Sequence, residues 1–260
     1  MYPYIHFFGR IIASYGFMYV IGCFATLGCA LLGCRRQKAA LDNMVYMFIF
    51  IFFCALIGAK LLYLIPHISD FWVYRDFIFA SIQNFGQYIG SGFVFYGGLI
   101  GGIFGPILYA HFFKEDALPL VQAFVPAIPL FHCIGRIGCF LAGCCYGIES
   151  EFGFTVHGNE LLPSVNDVQR FPVQLLEAAL NLMLFFALAY FLKKGMFKGR
   201  LFAVYLLSYS VIRFFDEFLR GDTYRGFLFG LSTSQIISII LFVCSLVYLI
   251  VKYKKSRQKA

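Results

Sequence analysis

A single arginine interrupts an apolar stretch that is long enough to cross a lipid bilayer. The stretch runs from Leu118 to Gly143, and Arg136 lies in its second half. A guanidinium group stays charged, and placing one in hydrocarbon costs about 2.5 kcal/mol or more, so it normally faces a polar cavity or an anion. Gly135 and Gly138 leave room there for a headgroup or a second backbone. The segment therefore predicts an anion site within a membrane protein.

The composition indicates the same class of protein. Hydrophobic residues make up 61% of the 260 residues and charged residues only 13%, which excludes an ordinary soluble domain. We predict an all-α integral membrane protein with a single domain over residues 1–260. Its seven predicted transmembrane helices cover residues 14–33, 44–65, 91–113, 119–143, 172–192, 201–220 and 229–251.

The distribution of basic residues predicts the orientation of these helices. Of the 21 lysines and arginines, 13 fall in residues 34–43, 114–119, 193–200 and the tail from residue 252. Because cytoplasmic segments carry an excess of Lys and Arg, the N-terminus is expected outside and the C-terminus in the cytoplasm. The longer outer segments then lie near residues 66–90 and 144–171. Basic clusters placed in this way suit lipid headgroups, and we exclude nucleic acid as a partner.

A second group of charges lies in the sixth predicted span. Arg213, Glu217 and Arg220 are spaced i, i+4 and i+7 on one face of a helix, with Asp216 beside that face. One interpretation is an ion-pair ladder that neutralises itself. The other is that Glu217 orients both arginines toward an anionic headgroup, since guanidinium groups match phosphate oxygens in geometry. In the second case the face has a net positive charge, to which Arg136 adds.

Two polar residues follow Pro172 at the start of the fifth predicted span. Gln174 and Glu177 are three residues apart and lie on one helix face. As ordinary helix features, Pro172 starts the helix and Glu177 is an acid favoured by the helix dipole. The alternative is that the two side chains hold the substrate or the arginines.

The third predicted span is rich in glycine. Its glycines form two series with i, i+4 spacing: Gly97, Gly101 and Gly105, and Gly98 and Gly102. Small residues at this spacing are typical of closely packed membrane helices. Tyr96 precedes both series, and we consider its phenol as a group over the anion site.

Cysteines cluster in sequence around Arg136. They are Cys133, Cys139, Cys144 and Cys145. Their spacing does not match the paired motifs of zinc or iron–sulfur sites, so we expect no metal and no cofactor. Three interpretations stay open: packing as small apolar residues, a reactive thiolate beside the arginine, or an oxidised pair. His132 has no partner evident from spacing, and we interpret it as structural.

Several short motifs resemble those of the prolipoprotein diacylglyceryl transferase family and occur in the same order. The matching segments are Tyr15-Gly16, Gly97-Gly98-Leu99-Ile100-Gly101, Gly135-Arg136-Ile137-Gly138 followed by Gly147, Pro172-Val173-Gln174-Leu175-Leu176-Glu177, the series Arg213, Glu217 and Arg220, and Gln235. The resemblance implies a bacterial plasma-membrane enzyme that transfers the diacylglyceryl group from phosphatidylglycerol to the thiol of a lipobox cysteine. Glycerol phosphate is the product released. The implied partners are phosphatidylglycerol, a prolipoprotein lipobox peptide and membrane lipids.

The resemblance also implies roles for individual residues. Arg136 and Arg213 would be catalytic by gripping the phosphate, and Tyr96 is our candidate base for the acceptor thiol. The implied substrate-binding residues are Tyr15, Gly97, Gly98, Cys139, Gly147, Gln174, Glu177, Glu217 and Arg220.

The chain departs from the family pattern at polar positions. The family's histidine before the glycine-rich segment is Tyr96, its signature asparagine and glutamate are Cys139 and Cys144, and an aspartate before an Ala-Pro pair is Gln122. The arginines are kept, whereas groups that would manage the proton and the thiol have changed. Three alternatives to the family reaction follow: transfer to a different acceptor, a non-catalytic lipid-binding or lipid-moving protein, and a small-molecule transporter. Within the family reaction, Cys139 or Cys144 is an alternative first nucleophile that would carry the diacylglyceryl group covalently.

Overall fold

The computed structural model describes residues 4–7, 9–65, 67–90, 95–157, 159, 163–222, 227–228 and 230–258, and most of them are helical. The helices of this part are α1 (Ser14–Gln37), α2 (Leu41–Leu64), α3 (Ile68–Phe79), α4 (Ile82–Gly90), α5 (Phe95–Phe113), α6 (Ala117–Phe124), α7 (Ala127–Ala142), α8 (Val173–Lys194), α9 (Leu201–Asp216) and α10 (Thr233–Arg257). Antiparallel strands pair as β1 (Tyr4–Phe7) with β2 (Arg10–Ala13), β3 (Glu149–Thr155) with β4 (Gln169–Arg170), and β5 (Phe227–Leu228) with β6 (Leu231–Ser232).

A helix occupies most of each segment predicted as a span. Among the described residues, five stretches are long and apolar enough to cross a bilayer: Ser14–Gln37, Leu41–Leu64, Ala117–Ala142, Val173–Lys194 and Thr233–Arg257. A shorter apolar stretch, Gly97–Phe113, lies in α5. The prediction of a helical membrane protein is confirmed in this coarser form. The strand pairs, and the helices α3 and α4 in the segment near residues 66–90, have no counterpart in the sequence-based prediction.

The chain divides into two compact units, residues 1–37 with 122–260 and residues 38–121. In the first unit α7 packs against both α1 and α8, and α9 packs against both α8 and α10. Glycines bring α1 close to its neighbours. A β-carbon at Gly22 would lie 3.0 Å from the Phe131 ring, and one at Gly33 would lie 2.6 Å from the backbone oxygen of Ala123. The helix that carries Arg136 is therefore enclosed by other helices.

The predicted span over residues 119–143 is interrupted and then sharply terminated. Pro126 separates α6 from α7, because proline has no N–H and disfavours helical backbone before it. At the other end Gly143 adopts the left-handed conformation with φ of 78°. Its N–H donates to the Phe140 carbonyl at 3.2 Å, and the Cys144 N–H donates to the Cys139 carbonyl at 3.1 Å. This glycine cap turns the chain back over the last helical turn.

The second unit is built on a close contact between α2 and α5. A β-carbon at Gly97 would collide with the Gly58 backbone, one at Gly101 with the Cys54 carbonyl, and one at Gly105 would lie 2.6 Å from the Cα of Ile51. By contrast, a β-carbon at Gly102 would reach the Ala55 side chain only at 4.0 Å. The predicted role of the glycine series in helix packing is thus confirmed for Gly97, Gly101 and Gly105.

We expect Gly101→Ala to destabilise the protein by about 1–3 kcal/mol, because the added methyl group forces α2 and α5 apart. Gly102→Ala is the matched control and should leave stability unchanged, since it adds the same methyl group one residue away in open space. Thermal unfolding of both full-length variants in detergent measures the difference. Equal unfolding temperatures for the two variants would contradict the described α2–α5 contact.

Candidate active site

Arg136 on α7 forms a two-pronged ion pair with Glu177 on α8. Nη2 of Arg136 donates a hydrogen bond to Oε1 of Glu177 at 3.0 Å, and its Nε lies 2.7 Å from Oε2. The exposed fraction is 12% for the arginine side chain and 1% for the glutamate side chain. A buried carboxylate in this geometry offsets the cost of the buried guanidinium. Glu177 therefore holds an arginine and does not act as a first-turn acid.

His132 reaches the same carboxylate. Its Nε2 lies 3.2 Å from Oε1 of Glu177, and its ring centroid lies 5.1 Å from that of Tyr209 on α9. His132 precedes Arg136 by one turn of α7, so both side chains point toward α8. The sequence analysis found no partner for His132, and the structure supplies Glu177. The i, i+4 spacing to Arg136 was the signal that could have found it.

Arg213 is held from two helices. Its Nη1 donates to Oδ2 of Asp216 at 3.1 Å, its Nη2 lies 2.6 Å from Oε2 of Glu217, and Nη2 also donates to Oγ of Ser234 on α10 at 3.1 Å. Because Asp216 and Glu217 both pair with Arg213, this contact favours the interpretation of an ion-pair ladder that neutralises itself.

Arg220 departs from the predicted helical face. After α9 the chain forms a 3-10 turn over Glu217–Leu219, and the Arg220 backbone is extended, with φ of −88° and ψ of 136°. Its Nε and Nη2 donate to Oδ1 and Oδ2 of Asp222 at 3.0 and 2.7 Å. The prediction of one helical face is wrong here because an antiparallel bridge to Gly147 draws Arg220 out of the helix.

The predicted net positive charge is absent from the described part of this site. Its paired groups are Arg136, Arg213 and Arg220 with Glu177, Asp216, Glu217 and Asp222. The pairing still leaves donors available, because no acceptor among the described residues contacts Nη1 of Arg136. A guanidinium group has five N–H donors, so it can bind a carboxylate with one edge and an anion with the other. The site offers oriented donors and little excess charge.

The backbone at Gly147 is enclosed by two other chain segments. A β-carbon there would collide with the carbonyl oxygen of Phe171 and lie 3.0 Å from that of Leu219. Beside it, the Ile148 N–H donates to the Leu219 carbonyl at 3.0 Å, and the Phe171 N–H donates to the Ile148 carbonyl at 2.9 Å. Only glycine fits, so Gly147 joins the segments that follow α7 and α9 to the one that precedes α8.

Two more of the predicted site residues lie beside α7. Nε2 of Gln174 donates to the Cys144 carbonyl at 2.9 Å, so this side chain holds the exit from α7 and not an arginine. Tyr15 on α1 lies against Gly138, where a β-carbon would be 3.5 Å from Cδ2 of the tyrosine ring. Both residues belong to the same compact unit as Arg136.

The glycine cap of α7 gathers three cysteines. The Sγ atoms of Cys139, Cys144 and Cys145 all lie within 4.8 Å of one another, a grouping that their spacing did not suggest. Hydrogen bonds from the Cys139 and Cys144 thiols lower the pKa of the Cys145 thiol, and Arg136 and Arg220 act in the same direction against the effect of burial. Hydrogen bonds with Cys139 and Cys145 raise the pKa of the Cys144 thiol.

The remaining predicted residues belong to the other compact unit. Gly97 and Gly98 lie in α5, where Gly97 contacts α2. Tyr96 is in the first turn of α5, but its side chain lies outside the described residues. Its assignment as a base stays a prediction.

Sequence reasoning also missed two partners of the arginines. Asp222 follows Arg220 by two residues, and an acid so near an arginine was a usable signal. Ser234 had no such signal, because it reaches Arg213 from a different helix.

We expect Glu177→Ala to destabilise the protein by about 3–5 kcal/mol, because it leaves the buried guanidinium of Arg136 without its carboxylate. The measurement is thermal unfolding of the full-length variant in detergent. Glu149→Ala is the matched control: Glu149 is 74% exposed and lies 3.7 Å from Arg170, so its removal should change little. If both variants unfolded at the wild-type temperature, the buried pair of Arg136 and Glu177 would be contradicted.

Comparison with known proteins identifies the family to which the chain belongs. Residues 3–251 match the sequence model of the family described as prolipoprotein diacylglyceryl transferase. The chain is 33% identical over 251 residues to the phosphatidylglycerol–prolipoprotein diacylglyceryl transferase of Clostridium tetani, with 95% of this chain and 96% of the relative covered. It is 34% identical over 255 residues to the second such enzyme of Clostridium perfringens, with 97% and 95% covered. The identity to the Campylobacter hominis enzyme is 31% over 245 residues, with 91% and 85% covered. The chain belongs to the prolipoprotein diacylglyceryl transferase family.

Proposed function

We propose that this protein transfers the diacylglyceryl group of phosphatidylglycerol to the cysteine thiol of a prolipoprotein lipobox and releases glycerol phosphate. The observation that carries the proposal is the family match over residues 3–251, which includes every arginine of the site. Relatives covered over nearly their whole length bear that activity in their names. A membrane-embedded arginine with oriented donors is the kind of group that a phosphodiester substrate requires.

The proposal includes a location and an orientation. The chain spans a bacterial plasma membrane seven times as one domain, with its N-terminus outside and its C-terminus in the cytoplasm. Two observations support this: the apolar helices, and the concentration of basic residues in four alternating segments. The segments near residues 66–90 and 144–171 then face outward, and the arginine cluster lies in the outer half of the membrane.

In the proposed complex, Glu177 fixes the plane of the Arg136 guanidinium and Nη1 points to the lipid phosphate. Arg213 is oriented in the same way by Asp216 and Glu217, and it approaches the phosphate from α9. Because both arginines are already paired, they do not reorganise when negative charge develops on the leaving phosphate oxygen. Preorganised donors of this kind contribute several kcal/mol to transition-state stabilisation.

The remaining predicted residues complete the proposed site. Tyr96 is the candidate for removing the proton of the acceptor thiol, although an unperturbed phenol titrates near pH 10 and needs a cationic neighbour. The proposed substrate-binding residues are Tyr15, Gly97, Gly98, Cys139, Gly147, Gln174, Glu177, Glu217 and Arg220. The structure supports indirect roles for Gln174 and Glu177, which hold the α7 exit and Arg136.

We expect purified protein in detergent to release glycerol phosphate from labelled phosphatidylglycerol only when a lipobox peptide is present. Arg136→Ala should lower the rate by about 10²–10³-fold, the loss that follows removal of one electrostatic donor. Arg75→Ala is the matched control and should keep wild-type activity, since Arg75 is 56% exposed and contacts only its sequence neighbours Asp76 and Trp72 among the described residues. Lipid binding without release in the wild-type protein would favour the non-catalytic alternative.

We expect Tyr96→Phe to lower the rate by at least about 10²-fold at neutral pH, because the phenylalanine ring cannot accept the thiol proton. The measurement is the same release assay, with the lipid affinity determined in parallel. Unchanged activity in this variant would remove Tyr96 from the mechanism and leave the arginine assignments intact.

A further inference from the structure

We infer that Cys139, Cys144 and Cys145 form a three-thiolate zinc site whose open fourth position binds the acceptor cysteine. The inference rests on the proposed function for the identity of that fourth ligand. The metal site itself depends only on the geometry of the three thiols. It gives the acceptor sulfur a means of activation that does not require a histidine base.

The separations of the sulfur atoms fit one bound ion. All three Sγ atoms lie within 4.8 Å of one another, so there is a point that lies within about 2.8 Å of all three. Zinc–sulfur bonds are about 2.3 Å long, which the side chains reach with small rotations. Thiolate ligands select soft or borderline ions such as zinc and Cu(I).

The backbone conformation after α7 brings the three cysteines together. Cys139 is in the last turn of α7, and Gly143 then reverses the chain so that the next two residues return over it. Cys145 has φ of 56°, a left-handed conformation that is unfavourable for a residue with a β-carbon. Gln174 fixes the Cys144 carbonyl from α8. The left-handed backbone at Cys145 and the hydrogen bond from α8 together keep the three thiols close to one another.

Two of the three cysteines are partly exposed, which leaves access for a fourth ligand. Cys139 is buried, whereas Cys144 and Cys145 are only half-buried. Three protein ligands with one open position are the arrangement of catalytic zinc sites, while structural sites use four protein ligands. Arg136 also lies near the cluster, since it interacts electrostatically with Cys145. The same Arg136 places the proposed lipid phosphate beside the cluster.

The chemistry is a substitution without a redox change. The acceptor cysteine binds the ion as a thiolate, and its proton goes to solvent, since coordination to zinc deprotonates a thiol near neutral pH. This route is an alternative to Tyr96 as the base, and unchanged activity of the Tyr96→Phe variant would favour it. The sulfur lone pair forms the bond to the glycerol carbon. The bond from that carbon to the phosphate oxygen breaks, and its electron pair leaves on glycerol phosphate. The neutral thioether is a weaker ligand than the thiolate, so the product can dissociate.

The first experiment measures metal binding in the full-length, reduced protein in detergent. Titration with Zn²⁺ should give about one ion per chain, and Co²⁺ should produce a thiolate-to-metal charge-transfer band. Cys139→Ser and Cys145→Ser should each weaken zinc binding by at least about 100-fold. The matched control is Cys244→Ser, which removes an exposed thiol on α10 and should leave binding unchanged. No thiol-dependent binding, or loss of two free thiols to a disulfide under the same reducing conditions, would overturn the site.

The second experiment tests the fourth ligand and needs no turnover. Adding a lipobox peptide to the Co²⁺-loaded protein should intensify the charge-transfer band, whereas a peptide with serine in place of its cysteine should not. An unchanged band would overturn the role of the cluster in acceptor binding. If the band changes but no glycerol phosphate is released by wild-type protein, the proposed transfer fails and the metal site stands.

Discussion

The charge of Arg136 can be accommodated among these helices because α8 supplies a buried carboxylate. Glu177 binds two donor nitrogens of the guanidinium and also the ring of His132, so it fixes α7 against α8 at two successive turns. An apolar contact would tolerate sliding of one helix along the other, whereas a forked ion pair does not. The same interaction also fixes the direction of Nη1, the nitrogen of Arg136 that Glu177 does not contact. Stability and orientation of the site thus have a common physical cause.

Parts of this arrangement were accessible from the sequence alone. An arginine within an apolar span requires a polar partner, and glycines with i, i+4 spacing indicate a closely packed helix. Each of these local patterns therefore predicts a contact. The arginine, glutamate and glycine residues were found in this way. The helices could be predicted because the apolar segments are long enough to cross a bilayer.

Other parts depend on contacts that no local pattern encodes. The end of α9 before Arg220 is set by the bridge to Gly147, which is distant in sequence. The thiol cluster depends on a left-handed turn at Gly143 and a second at Cys145, so spacing counted along a regular helix or loop misjudges the distances. Ser234 reaches Arg213 from another helix. In each case the missing information is tertiary.

Three chain segments meet at Gly147, and this meeting point links parts of the site through the backbone. Main-chain hydrogen bonds connect the exits of α7 and α9 with the entrance of α8, and Arg220 and Cys145 both lie on these connected segments. A shift of one segment is therefore transmitted to the others without any side chain as intermediary. Any side chain added at position 147 would therefore displace the segments that carry Arg220 and Cys145 together.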